Sequence, residues 1–167
     1  MIVFDASTLI LIAKAELLDV FLASVEISVA IPETVEKECC ASKRTLDAAL
    51  IQRALEESRI RTVVVKNQRL VDRLETDFGL GRGEAEAIAL AVGERAQLVA
   101  IDDKNGINAC KLMGIAFTTA LGILVRSREK RLLERSDALE KLALLAKYGR
   151  YKGSVIEDAR RKLEAKP

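Results

Sequence analysis

Five short runs limit what this chain can fold into: "IVFD" (residues 2–5), "ISVAI" (27–31), "TVVV" (62–65), "LVAID" (98–102) and "IAFT" (115–118). Each is apolar, rich in β-branched residues and bounded by polar or turn residues, which is the pattern of a strand. Near-continuous apolar runs of this length belong to strands buried on both faces. The segments between them carry helical spacing. Strands alternating with helices predict an α/β domain, a parallel sheet covered on both sides.

The helical segments follow from spacing and from their ends. "STLILIAKAELLDVFLAS" (7–24) has an apolar stripe through Leu9, Ile12, Leu17 and Val20 and is expected to break into two helices. "PETVEKECCAS" (32–42) opens on Pro32, suited to a first helical turn, with Glu33 and Glu36 where the helix N-terminus favours negative charge. "LDAALIQRALEES" (46–58) and "QRLVDRLETDF" (68–78) flank the third strand, with Gly79 as a stop for the latter. "GRGEAEAIALAVGERA" (81–96) is apolar on nearly all sides and is expected to be deeply buried. Its glycines do not make a phosphate loop, because the spacing is wrong and no strand directly precedes them. After the fifth strand the chain is helical, with a loop near "YGRYKGS" (148–154) and a last helix from about Ser154. The length of 167 residues fits one domain, with residues 1–150 as its body and 151–167 as a C-terminal helix packed on it.

Composition removes several chemistries. The chain has no histidine, so a Ser-His-Asp or Cys-His nucleophilic site, a His-ligated zinc and a histidine general base are excluded. Its three cysteines, two of them adjacent at Cys39 and Cys40, have neither metal-ligand spacing nor a disulfide framework; they read as small buried hydrophobes in a reducing compartment. No leader pattern opens the chain and no apolar run has the ~18 residues of a membrane span, so the expectation is a soluble cytoplasmic protein. The formal charge of +2 does not announce a nucleic-acid binder. The most basic segment, "RSREKRLLER" from Arg126 to Arg135, holds five basic and two acidic residues and suits a solvated helix face or a track for an RNA backbone.

Carboxylates then have to carry any catalysis. In an open parallel sheet, ligands gather beyond the carboxyl ends of the strands where strand order reverses. Asp5 ends the first run and Asp102 the fourth. If strands two and three wind to one side of strand one, and four and five to the other, these acids face each other at that point. Glu38 shares a helix face with Val35, and Glu84 opens the most apolar helix on the face of Ile88 and Ala91. A charge on an inward helix face is costly unless paired or bound to a cation. Asp5 and Asp103 each have a second reading as helix N-caps, and for Asp103 the choice between cap and fifth acid of the site stays open. A carboxylate cluster without His or thiolate suits Mg²⁺ or Mn²⁺ and metal-assisted phosphodiester hydrolysis.

On these residues the chain resembles the PIN-domain ribonucleases. "VFDASTLI" is similar to the family's opening motif, with Asp5 as first metal-binding acid and Ser7 or Thr8 as its accompanying hydroxyl. "IPETVEKE" resembles the second motif, with Glu38; "GRGEAEAIALA" and "LVAIDD" resemble the third and fourth, with Glu84, Asp102 and the nearby Asp103. "TTALGILVRSREKRLL" is similar to the segment after the fifth strand in a subgroup of nucleic-acid-binding members. The resemblance implies a Rossmann-like three-layer α/β/α fold with strand order 3-2-1-4-5. It also implies Mg²⁺- or Mn²⁺-dependent endoribonuclease activity, a homodimer and, for many stand-alone members, a toxin role with an inhibiting antitoxin. In this frame Asp5 and Asp102 bind the principal metal, Glu38 binds or orients its water, and Glu84 and Asp103 serve a second ion or the first ion's hydration shell. Arg82 and Lys104 flank the acids and either hold substrate phosphate or are solvated. Glu84 stands where many toxin members have Asp.

Two other readings fit parts of the pattern. One is a PIN domain with weak or no catalysis, acting as a nucleic-acid- or protein-binding module. The other is a phosphoryl-accepting receiver domain, which expects an acid pair after its first strand and a Lys after its last. Here a single acid follows the first strand, and Thr118-Thr119 follow the last.

Overall fold

A computed structural model describes residues 1–41 and 45–165. Among them the elements in chain order are β1 (Ile2–Phe4), α1 (Ala6–Lys14), α2 (Leu18–Ser24), β2 (Val29–Pro32), α3 (Glu33–Cys40), α4 (Leu46–Glu56), β3 (Ile60–Val63) and α5 (Gln68–Phe78). They continue with α6 (Arg82–Gly93), β4 (Leu98–Ala100), α7 (Lys104–Met113), β5 (Phe117–Thr118), α8 (Ala120–Glu129), α9 (Arg135–Tyr148) and α10 (Gly153–Glu164). The last residue of the predicted helix over 32–42 and the last two of the segment 151–167 lie outside the described residues.

All strand pairs are parallel, and the sheet order is β3-β2-β1-β4-β5. The chain therefore reverses its winding between β1 and β4, the point where a crevice opens in such sheets. Register there is fixed by Ile2 opposite Leu98, Val3 opposite Val99 and Phe4 opposite Ala100.

The two-residue period of a strand explains the two cores. Ile2, Phe4, Val29, Ile31 and Ala100 pack on one face with α1, α8 and α9 residues such as Leu9, Ile12, Leu124 and Leu142. Val3, Val99 and Ile101 pack on the other with Val71, Leu74, Ile88 and Ala109. Helices on both faces make the fold three-layered α/β/α, as the continuous apolar runs require. From α10, Ala159 and Leu163 are buried in the same cluster as Phe4 and Leu9. Among the described residues no helix is long and apolar enough to cross a membrane.

Strand limits depart from expectation at the sheet edges. The third strand is residues 60–63 and not 62–65: it pairs Ile60 with Val29 and Arg61 with Ala30, while Val64 is exposed. An edge strand covered on one side tolerates Arg61 and Thr62, so apolar density marked the wrong pair of residues. The fifth strand shrinks to Phe117–Thr118 at the opposite edge. Pro32 ends β2 and precedes the first helical turn of α3 instead of standing in it.

Candidate functional site

The register delivers Asp5 and Asp102 to the same end of the sheet. The backbone N–H of Asp5 donates to Ala100 O at 3.1 Å, two residues before Asp102. Asp5 leaves β1 with extended dihedrals and becomes the N-cap of α1, its Oδ1 accepting from Thr8 N at 2.8 Å and its Oδ2 from Ser7 Oγ at 2.7 Å. The cap of α1 thus holds the Asp5 carboxylate at the strand end, on the side where Asp102 lies. Asp102 is pinned from two distant segments: Oδ2 accepts from Ala120 N at 2.8 Å, the first residue of α8, and Oδ1 from Tyr151 Oη at 2.6 Å.

Burial governs the electrostatics. Asp5 is fully buried, and loss of solvent pushes its carboxyl up to about 7, against the hydrogen bonds from Thr8 and Ser7 that favour the anion; the Asp102 charge raises it further. Desolvation also raises Asp102, opposed by Tyr151 and Ala120. The Tyr151 phenol is pushed well above its usual range by burial and by Asp102. Thr8 Oγ1 is buried without a hydrogen-bond partner of good geometry, yet it stands near enough to Asp5 and Asp102 to favour their ionised forms. Asp5 caps α1, and Asp102 accepts from the first residue of α8 and directly precedes the N-cap of α7, so three helix N-termini lie at these acids and their dipoles offset part of the repulsion.

The other predicted acids form an outer group. Glu84 is half-buried; its Oε2 accepts from Gly81 N at 3.0 Å at the start of α6, and desolvation with the Asp103 and Glu38 charges raises its pKa. Glu38 is not on a buried face: it is exposed, and Cys39 beside it is the inward residue, because α3 turns Val35 and Cys39 to the core together. Its pKa is still raised, by desolvation first and by Glu86 second. Asp103 is the N-cap of α7, Oδ1 accepting from Asn105 N at 2.7 Å and Gly106 N at 2.9 Å. Among the described residues no three Asp, Glu or Cys side chains stand close enough together to chelate an ion as they are oriented.

Gly83 sets where Glu38 can lie, since a Cβ at residue 83 would stand 2.7 Å from Glu38 Oε1. Gly83→Ala is expected to leave the melting temperature nearly unchanged, because the clashing atom ends a flexible side chain. It is expected to displace the Glu38 carboxylate and lower any metal-dependent turnover by about 10-fold. Unchanged turnover would show that Glu38 has no part in the chemistry.

Arg82 does not face the cleft acids. Its guanidinium joins Asp72 at 3.1 Å, Glu75 at 2.8 Å, the buried Glu86 at 3.0 Å and the Gln68 side-chain oxygen, tying α5 to α6. Those carboxylates raise its pKa, and its forked donors are spent on them rather than on a substrate phosphate. Glu86 was not anticipated; two residues from Glu84, it falls on a different helix face. The basic segment after Arg126 is also remote. It begins six residues, roughly 9 Å, along α8 from Ala120 and continues past the end of that helix. Arg126 pairs with Glu129, Arg128 donates to Leu133 O, and Arg135 approaches Glu164.

A cleft of about 510 Å³ joins part of the site to the surface, bordered by Ser7, Glu84, Asp102, Asp103, Lys104 and Tyr151, with Lys14, Tyr148 and Arg150 at its other end. The 148–151 segment is therefore a wall of the site. Its sequence reads only as a loop, although both tyrosines of the chain occur there. The three thiols are unpaired, Cys39 and Cys110 buried and Cys40 half-buried.

A family model described as DUF3368, a PIN domain, matches residues 1–165. The chain matches no curated protein and no solved structure.

Proposed function

Because the chain belongs to the PIN-domain family, whose members are generally nucleases that use divalent metals, we propose that it is an Mg²⁺- or Mn²⁺-dependent endoribonuclease. The observation that carries this reading is the pair Asp5 and Asp102, both desolvated, on neighbouring strand ends at the reversal point of the sheet.

The residues fit such an ion by donor chemistry. The acids are hard oxygen ligands, and the buried Thr8 hydroxyl beside the pair lacks a partner. Asp5 and Asp102 would hold the ion, and the outer group of Glu84, Asp103 and Glu38, which feel one another's charge, would act on its hydration. When bound, it supplies charge that lowers the pKa of an attacking water and stabilises negative charge building on the phosphate.

The chain's own groups do the positioning. Ser7 and Thr8 N fix both oxygens of Asp5, and Ala120 N with Tyr151 fixes both of Asp102, so neither carboxylate must be ordered at the moment of reaction. Glu38 and Glu84, with raised proton affinities, are suited to accept hydrogen bonds from the attacking water or take its proton. Lys104, exposed at the cleft, offers its ammonium to a phosphate oxygen. The free thiols agree with a reducing cytoplasmic setting for this activity.

The test is incubation of the purified protein with end-labelled single-stranded RNA in Mg²⁺, Mn²⁺ or EDTA. Cleavage in the first two and none in EDTA is expected; intact RNA in all three would overturn the proposal.

Tyr151→Phe removes one hydrogen bond to Asp102 and keeps the ring. It is expected to lower kcat and Mn²⁺ affinity by about 10-fold each, with KM for RNA unchanged, in the range seen when a ligand's supporting partner is lost. Steady-state kinetics with isothermal titration of Mn²⁺ reads both. Wild-type values would make Tyr151 a packing residue only.

A further inference from the structure

The cleft poses an electrostatic problem for a polyanionic substrate. Its inner end holds Glu84, Asp102 and Asp103, which repel phosphate when ionised. A strand of RNA needs attraction elsewhere along the cleft, and the outer end supplies it.

The same cleft carries Lys14 from the last turn of α1, Arg150 from the α9–α10 loop and, next to Asp103 in the chain, Lys104 from α7. All three are exposed, and among the described residues none is in an ion pair. Tyr148, an exposed aromatic at the end of α9, lines the same cleft. Lys14 Nζ lies 5.5 Å and Lys147 Nζ 5.2 Å from its ring centroid. Both ammoniums end flexible, exposed side chains, which leave the ring at little cost when phosphate draws them aside.

The loop is built to hold this wall. Gly149 follows Tyr148 directly, and a Cβ on it would overlap the Tyr151 ring. Tyr151 packs against the core and anchors the loop to Asp102. One tyrosine therefore fixes the segment to the acids while the other is presented, three residues earlier, to the open end of the cleft.

We infer that Tyr148, flanked by Lys14 and Arg150, is a nucleobase-stacking subsite that takes an unpaired base of single-stranded RNA beside the scissile position. This rests on the nuclease reading for its substrate. An aromatic face among cations is what binds a single strand with little sequence preference: the ring accepts any base and the ammoniums take the backbone. A duplex keeps its bases stacked on one another and gains only the charge contacts.

The test is fluorescence anisotropy of a labelled 12-nucleotide single-stranded RNA and of the matching duplex, in EDTA so that binding is separated from cleavage. Tyr148→Ala is expected to weaken single-strand binding by about 5- to 30-fold, in line with the loss of one stacked base. Tyr148→Phe should stay within about 2-fold of wild type, and duplex binding should be unaffected by either change. Lys14→Gln and Arg150→Gln should weaken both RNAs and reduce the salt dependence. Tyr148 is exposed, so the variants should fold, and circular dichroism checks this. Unchanged single-strand affinity in Tyr148→Ala, an equal loss for single strand and duplex, or no RNA binding by wild type would each overturn the inference. Binding that depends on Tyr148 without cleavage in Mg²⁺ or Mn²⁺ would overturn the nuclease reading and leave the subsite standing. Cleavage with wild-type affinity in Tyr148→Ala would do the reverse.

Discussion

Asp5→Asn is expected to abolish RNA cleavage, with a loss on the order of 10³-fold or more, while leaving the fold intact. Replacing a residue that merely supports a metal ligand costs about 10- to 100-fold, and removing a ligand's charge should cost more. The amide is a close isostere of the carboxyl. Its oxygen still accepts from Thr8 N, and its NH₂ can donate to Ser7 Oγ, so the cap of α1 survives. Asp102→Asn should show a loss of the same order. Asp103→Asn separates the two carboxylates of "LVAIDD": Asn caps a helix as well as Asp, so if Asp103 serves only α7, turnover should stay within a factor of about 3. A loss above 10-fold with unchanged melting would make Asp103 a member of the site. Cleavage by Asp5→Asn at the wild-type rate would remove the metal-nuclease reading altogether.

The inner pair was legible because it depends on topology. Continuous apolar runs imply a parallel sheet, and a parallel sheet with a reversal has only one place for the residues that follow β1 and β4. The outer group was less legible. Glu38 shares a helical repeat with Val35, but the helix rotates Cys39 to the core and leaves Glu38 exposed, a difference of one position that periodicity in an eight-residue helix does not resolve. Nearness in sequence to Glu84 suggests a site role for Arg82, whereas three-dimensional neighbours on α5, Asp72 and Glu75, decide its role. Tyr151 lies 49 residues from the acid it contacts, and no local pattern encodes that contact. A pair of tyrosines in a basic, glycine-containing loop was the one available signal.

Without metal, the protein should lose stability as pH rises from about 4 to about 7, and divalent metal should reverse that loss at the high end. Asp5 has a folded pKa of about 7 against an ordinary value of 3.8, so between these the folded chain holds a proton that the unfolded chain has released. The stabilisation is complete below the lower value and gone above the higher one. At about 1.4 kcal/mol per unit, the shift corresponds to a few kcal/mol, or on the order of 10 °C in melting temperature for a domain of this size. Asp102, Glu38 and Glu84 are raised as well and act in the same direction. The lowered carboxyls, Asp19 and Asp158, have the opposite sign, but their effect falls below their ordinary pKa and outside this window. A cation requires the ionised acids, so Mn²⁺ should raise the melting temperature strongly at pH 8 and little at pH 5. Asp5→Asn removes the largest contributor and should flatten the metal-free profile. Thermal melts of wild type and Asp5→Asn at pH 5 and pH 8, each in EDTA and in Mn²⁺, decide the matter. A metal-free melting temperature that does not fall over this range, or an equal gain from Mn²⁺ at both pH values, would show that the buried Asp5 carboxylate carries no unfavourable charge for a cation to relieve.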